Sequence, residues 1–528
     1  MALFPSDVLS RLIKIGTALS AEINLDRLLE MIVFEARHFT NADGGTLYIM
    51  SDDEKELQFA IIQNDSLRIR MGGTGEKISW PPVSLETADH LPNHANVSAY
   101  AALTGKVVAI EDVHHATGFN FEGTRAFDDL TGYRSVSMLV VPLKNHENAI
   151  IGVLQLINAL DPITGFVCPF SSQAQQITES LASQAAIALS NNLLIRNLKD
   201  LLGSFIKTIA MAIDEKSPYT GGHFRRVANL TMTVAERTNA AKVGPYADRF
   251  LSENEIEELR IASWLHDVGK ITTPEYLVNK SARLETIFDR IELIRARFEI
   301  LKRDQEIAAL NTILAEFRKN EGHASRNEND PKVPVPYEKF LPLIESINRG
   351  GEPVPPEAVV QLKTLTDVKW KENGTWKALL SEDELRCLTT SQGTLTDEER
   401  AIIRSHALIT HNMLSGLPFP KKLRNVPFIA SSHHEKLDGT GYPHGLKKKQ
   451  LPLQSRILAI ADIFEALTAT DRPYKKGNTL TGAIRIMRRM VSDGHIDRDL
   501  FDLFLQEKIH LEYAARELSD WQRDMPDT

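Results

Sequence analysis

The chain has 528 residues, of which 42% are hydrophobic, 25% charged and 7% aromatic, and its net charge is −9. At roughly 100–200 residues per domain this length holds about three to four domains, and the composition excludes collagen-like, low-complexity and globally disordered chains. The negative balance excludes binding of a nucleic-acid polymer by bulk electrostatics. Two cysteines far apart, Cys168 and Cys387, exclude a disulfide framework and a cysteine-based zinc site, and fit a reducing cytoplasm. No apolar run of about 18 residues occurs, so no membrane span is expected. Met1–Pro5 opens without a basic stretch and apolar core, so no signal peptide is expected.

In chain order, Leu25, Leu28, Leu29, Ile32, Val33 and Ala36 recur at helical spacing, which predicts one or two amphipathic helices over 8–40. Strands are predicted at Gly44–Met50, Leu57–Ile62, Val107–Ile110, Ser137–Leu143 and Ala149–Ile157. These elements form an α+β domain, residues 1–175. From 176 to 213 an apolar stripe including Leu181, Leu189, Leu194, Leu198, Leu201 and Phe205 predicts a connecting, coiled-coil-like helix. Residues 214–528 read as an all-α domain. Within it, about 285–392 stand apart as an inserted helical arm. The arm has a charged heptad-like helix over 283–319 with Leu284, Ile287, Ile291, Ile294 and Phe298 as apolar positions. A polar loop, 321–330, and a Pro-rich stretch, 333–356, follow.

Of sixteen histidines, five stand where a structural role explains them poorly. They are His223 after a glycine pair, His266 before Asp267, His406, and the adjacent His433 and His434. Asp462 lies in a helix apolar nearly all round, so it should be buried, and an unpaired buried carboxylate costs several kcal/mol. It must be paired, act as a cap or bind a metal. His266 and Asp267 follow an apolar helical run; adjacent ligands on a helix point about 100° apart, which suits two neighbouring metals. Imidazole with carboxylate suits iron, manganese or zinc. Five histidines and two aspartates exceed one tetrahedral shell and suffice for a two-metal, phosphoester-hydrolysing site. Lys270, four residues after His266, is placed on the same helix face to reach a phosphate, and Arg472 with Lys475 forms a candidate phosphate clamp. Each element alone has an ordinary structural explanation; jointly they point to one site.

His266-Asp267-Val268-Gly269-Lys270, His433-His434-Glu435, Gly441-Tyr442-Pro443, and Asp462 through Arg472-Pro473-Tyr474-Lys475 resemble the HD-GYP phosphodiesterase domain, over about 200–280 and 393–510. The resemblance implies an HD-superfamily helical fold and hydrolysis of cyclic di-GMP through pGpG toward GMP. It implies His223, His266, Asp267, His406, His433, His434 and Asp462 as metal ligands, with Asp267 bridging. Lys270, Arg472 and Lys475 would contact phosphate, with His266, Asp267 and Lys270 the catalytic group. Gly441 and Tyr442, with Pro443, would shape the pocket lip and recruit partners. Three departures stand out. Tyr219 occupies the place of a glutamate found in trinuclear members, so two divalent ions, iron or manganese, are expected. About a hundred residues are inserted between the second and third ligand motifs, and Glu465 stands where Asp is frequent.

The N-terminal region, roughly 10–190, resembles a GAF sensor through Phe127–Ser135 and Val141-Pro142-Leu143, with Asn158 and Phe170 as remnants of a signature that Ala159 and Ala174 interrupt. That resemblance implies a small-molecule ligand, a cyclic nucleotide among the candidates; His114 and His115 read as loop residues. The expected protein is a cytoplasmic GAF–HD-GYP signalling enzyme, coupled as a homodimer through the 176–213 helix. Alternatives are a 3′,3′-cyclic GMP-AMP phosphodiesterase and a catalytically silent scaffold for diguanylate-cyclase proteins. A deoxynucleotide phosphohydrolase is disfavoured by Gly441-Tyr442-Pro443.

Overall fold

The structure is a computed structural model, and it describes residues 6–22, 24–215, 222–319, 337–470 and 477–525. Tyr219, the polar loop 321–330, Arg472 and Lys475 lie outside the described residues. The chain divides into two compact units, Met1–Leu201 and Leu202–Thr528.

The first unit opens with α1 (Ser6–Ala21) and α2 (Leu25–Thr40), two helices separated where Asn24 caps the second by accepting from Arg27 N. Strands β1 (Ala42–Met50), β2 (Glu56–Asn64), β3 (Ile69–Gly72) and β4 (Val83–Ser84) follow. Then come α3 (Val97–Thr104), β5 (Val108–Ile110), α4 (Glu122–Thr131), β6 (Met138–Lys144), β7 (Ile150–Leu160) and β8 (Val167–Cys168). The strands form one antiparallel sheet in the order β3-β2-β1-β7-β6-β5, with β4 beside β2 and β8 beside β7. Register sets Leu47 opposite Leu154 and Val141 opposite Leu154, so these side chains share one face. That face packs on α1, α2 and the start of α5 (Ser172–Asp214), through Leu28, Val33, Leu181 and Ala185. The other face packs on α3 through Tyr48, Val140, Val153 and Ala99. Sequence alternation missed β3, β4 and β8, which are four residues or fewer, and the short helices α3 and α4. Asn158 has φ 54°, donates to Tyr133 Oη and Arg134 O, and accepts from Val136 N. It therefore pins a bend in this unit.

The second unit is helical: α6 (His223–Ala240), α7 (Glu253–Leu265), α8 (Glu275–Val278), then α13 (Asp397–Ser415), α14 (Val426–Ser431), α15 (Leu453–Thr468), α16 (Leu480–Ser492), α17 (Arg498–Gln506) and α18 (Ile509–Glu517) after an insertion. Ser252 with Glu255, and Thr396 with Glu399, form reciprocal capping boxes that start α7 and α13. α15 is the central helix, buried from Leu453 through Asp462, and Val227, Leu259, Ile429, Ile457 and Phe464 meet in its core.

The insertion carries α9 (Ile291–Lys319), α10 (Tyr337–Asn348), α11 (Pro356–Asp367), the hairpin β9 (Lys369–Glu372) and β10 (Thr375–Ala378), and α12 (Glu382–Leu388). It has its own core of Ile294, Phe298, Ile344, Leu362, Trp370 and Leu388. Its long helix begins at Ile291, later than the heptad pattern predicts. Glu285 accepts from Ser281 N and Oγ and turns the chain, leaving Ile287 92% exposed. The buried Arg283 donates to Gly393 O, Ile347 O and Glu352 O, and so holds this corner.

Candidate metal centre

His223 opens α6, with Gly222 at φ 90° before it and Gly222 N donating to Asp214 Oδ2. His266 ends α7, and the chain then leaves the helix: Asp267 adopts φ −107°, and Val268–Thr272 is a single 3-10 turn. Lys270 therefore does not share a helix face with His266, contrary to the sequence expectation. The cause is Gly269, which lies so close to α13 that an added Cβ would stand 2.1 Å from His406 O. Gly269 N donates to Thr410 Oγ1, which in turn donates to His266 O, locking the turn onto α13. His406 is on α13, His433 and His434 follow α14, and Asp462 is on α15.

These seven residues converge. Asp267 Oδ1 lies 3.1 Å from His406 Nε2 and 3.7 Å from His433 Nε2. Its Oδ2 lies 3.3 Å from His266 Nε2 and 3.5 Å from His223 Nε2. Asp462 Oδ1 stands 3.6 Å from His223 Nε2 and 3.8 Å from His266 Nε2. Two groups of donor atoms result, Asp267 with His406, His433 and His434, and Asp267 with His223 and His266, each within 4.8 Å. Asp267 thus turns one oxygen to each group.

The opposite ring nitrogens are tied back. His266 Nδ1 is 2.8 Å from Ser263 O, His406 Nδ1 2.6 Å from Ile403 O, and His433 Nδ1 2.7 Å from Ala430 O. His223 Nδ1 meets Glu465 Oε2 at 2.6 Å, and Arg226 Nε donates to Glu465 Oε1. Such tethers fix the tautomer and aim Nε2 inward. The Nε2 atoms of His223, His266, His406 and His433, and Asp267 Oδ1, are buried with no hydrogen-bond partner. Polar atoms sealed this way cost roughly 1–3 kcal/mol each. Cations held in the two groups around Asp267 would satisfy all five, so the donor set fits divalent metal.

Burial, then neighbouring imidazoles, push the pKa of His433 down to about 3 and that of His434 well below the ordinary value. Both rings are neutral and ready to ligate. Burial opposes charge on His223, but Glu465 and Asp267 outweigh it and raise its pKa to about 10. A cation at Nε2 would displace that proton. Burial raises the Glu465 carboxyl, yet His223 and Arg226 bring it down to about 2. Lys270 donates to Asp267 Oδ2, so its ammonium sits on the central carboxylate. Gly441 runs against Glu435 and Lys436, where a Cβ would stand 2.3 Å from Lys436 N. Glu435 accepts from His444 N and Leu446 N and holds the loop that carries Tyr442, whose ring centre is 4.8 Å from that of His434. The roles of Glu465, Arg226, Thr410 and Glu435 are not evident from sequence; the only signal is Arg226 three residues after His223 and Glu465 three after Asp462, on shared helix faces.

A GAF-domain family model matches residues 24–189, and two HD-domain models match 220–360 and 383–500. The His-Asp pair lies inside the cluster and Gly441-Tyr442-Pro443 at its edge. The chain joins an N-terminal GAF domain to an HD domain. The 3′3′-cGAMP-specific phosphodiesterase 1 of Vibrio cholerae is 48% identical over 114 residues, 22% of this chain and 26% of that protein. A cyclic di-GMP phosphodiesterase of Pseudomonas aeruginosa is 40% identical over 114 residues, again 22% and 26%. One from Thermotoga maritima is 42% identical over 93 residues, 18% and 25%. The matched region is thus about a quarter of each relative. Among solved structures, the GAF domain of an Acinetobacter phosphoenolpyruvate-protein phosphotransferase covers 37% of this chain and 99% of its own, with 15% identity and a TM-score of 0.26. No helix among the described residues is long and apolar enough to cross a membrane.

Proposed function

We propose that the HD domain is a metal-dependent phosphodiesterase that hydrolyses cyclic di-GMP to pGpG and GMP. The observation that carries this reading is the convergence on Asp267 of four buried imidazole nitrogens that, like Asp267 Oδ1 itself, have no hydrogen-bond partner. His223, His266, Asp267, His406, His433, His434 and Asp462 would hold two divalent ions, iron or manganese, with Asp267 between them. Bound divalent metal supplies a nucleophilic hydroxide at neutral pH and neutralises charge on the phosphoryl oxygens. The protein's part is positional. The tethered rings keep Nε2 presented, and Glu465 keeps the His223 ring in place. Lys270, whose Nζ donates to Asp267 Oδ2 beside the donor cluster, would contact a phosphate oxygen. Arg472 and Lys475 are assigned to the phosphate from sequence alone. Gly441 and Tyr442 form the lip.

A second substrate, 3′,3′-cyclic GMP-AMP, is favoured by the 48% identity to the Vibrio cholerae enzyme named for it. The GAF domain is assigned regulation by a small molecule, with a cyclic nucleotide as one candidate. Exposed Leu194, Leu198 and Leu201 on α5 support pairing of two copies in a cytoplasmic homodimer. A scaffold for diguanylate-cyclase proteins is the non-enzymatic rival. The test is anaerobic reconstitution with Mn(II) or Fe(II), metal analysis, and turnover of both dinucleotides. About two metals per chain with hydrolysis of one dinucleotide supports the reading; metal without hydrolysis of either sinks it.

A further inference from the structure

Arg404 lies on α13, two residues before His406, and is exposed. Its guanidinium carbon stands 5.6 Å from the centroid of the Tyr442 ring. The Tyr442 ring in turn lies 4.8 Å from His434 at 33° and 6.4 Å from His406. Three layers therefore step outward from the donor cluster: the imidazole of His434, the phenol of Tyr442, the guanidinium of Arg404. The stack is anchored, because Tyr442 N donates to His434 O and Glu435 holds the following turn. No carboxylate of the described residues pairs with Arg404. An exposed guanidinium set over an aromatic ring, with no ion pair among the described residues, keeps a planar face and its N–H edge for a ligand. Arginine planes stack on nucleobases, and their N–H edge matches the O6 and N7 acceptors of guanine.

We infer that Arg404 is a substrate-positioning residue that carries one purine base of the dinucleotide on its free face, at the mouth of the metal centre. The inference rests on the reading of the HD domain as a cyclic-dinucleotide phosphodiesterase. It assigns base recognition to α13 and the Tyr442 loop together, so the element that supplies His406 also sets where the base sits.

The experiment uses the full chain loaded with Mn(II), as wild type, Arg404→Ala and Arg404→Lys. Stopped-flow binding of cyclic di-GMP and 3′,3′-cyclic GMP-AMP resolves Kd ahead of turnover, and steady-state kinetics follow. Arg404→Ala is expected to raise Kd and KM about tenfold, the worth of one stacked base, while the metal content stays the same and kcat falls less than about threefold. Arg404→Lys is expected to recover little of this, because an ammonium has no face. An unchanged Kd in Arg404→Ala overturns the inference. Full recovery by Arg404→Lys also overturns it, since a point charge on phosphate would then suffice. Wild-type protein that binds without turnover sinks the phosphodiesterase reading alone and leaves the Kd comparison to decide Arg404; wild-type protein that binds neither dinucleotide sinks both.

Discussion

Two clusters of polar groups, one in each unit, are satisfied in opposite ways. In the GAF domain, Tyr133 Oη donates to Asp43 Oδ2, and Asn158 donates to Tyr133 Oη. Asp43 Oδ1 accepts from Ser66 N and Oγ, and Asp128 accepts from Ser135 N and Oγ. This network closes on itself, as buried polar groups usually do. In the HD domain the imidazoles are satisfied on one nitrogen and left open on the other, all toward one carboxylate. Closure holds a fold together, whereas one-sided satisfaction marks where something else must bind. By this criterion the side chains of Asp128, Tyr133, Ser135 and Asn158 hold the fold, and the histidines are poised for a ligand.

The sharpest way to break this contrast is to remove a hub from each side. Asp267→Ala is expected to abolish turnover and bound metal together, with the helical circular-dichroism signal retained. Asn158→Ala is expected to cost about 1–3 kcal/mol of stability in denaturant unfolding, with metal content unchanged. Metal retained in Asp267→Ala would refute the shared-carboxylate arrangement. Next in size, Glu465→Gln removes the charge that orients His223 and should weaken metal affinity about 10–100-fold in a Mn(II) titration. Gly269→Ala should destabilise the HD domain by about 1–3 kcal/mol, seen as a lower denaturation midpoint, because its Cβ collides with His406 O.

The smallest effect is expected in the insertion. Burial raises the Glu384 carboxyl, but Arg297 at 2.8 Å and the Ser381 cap outweigh it and hold the pKa below its usual value. A carboxyl depressed in the folded state adds stability above its unfolded pKa, and this is lost as pH falls through the folded one. Thermal midpoints should therefore drop between about pH 5 and pH 3, and Glu384→Gln should flatten that part of the profile. An unaltered profile would show that this pair contributes nothing.

Much of this was readable in the residues. The 3.6-residue periodicity placed α2 and the long helix through Ser172–Asp214, and alternation placed β1, β2, β6 and β7. The apolar setting of Asp462 correctly placed it in the interior. What periodicity could not show was the break after His266. A helix ending is decided there by the tertiary approach of Gly269 to α13, some 140 positions away in sequence, and no local pattern encodes it. The start of α9 at Ile291 has the same origin, since Arg283 is fixed by carbonyls from Ile347, Glu352 and Gly393. The hairpin of β9 and β10 escaped because four-residue strands carry too few alternations to register.

That corner at Arg283 has a further consequence. Thr394 Oγ1 donates to Lys280 O at 3.2 Å, and Lys280 Nζ pairs with both oxygens of Glu399 at the head of α13. The chain thus departs and returns through one doorway. A cassette whose two ends already touch can be cut out and the cut rejoined by a residue or two, without reshaping the domain that hosts it. The same doorway offers a ready place to graft a foreign domain beside the helix bearing His406.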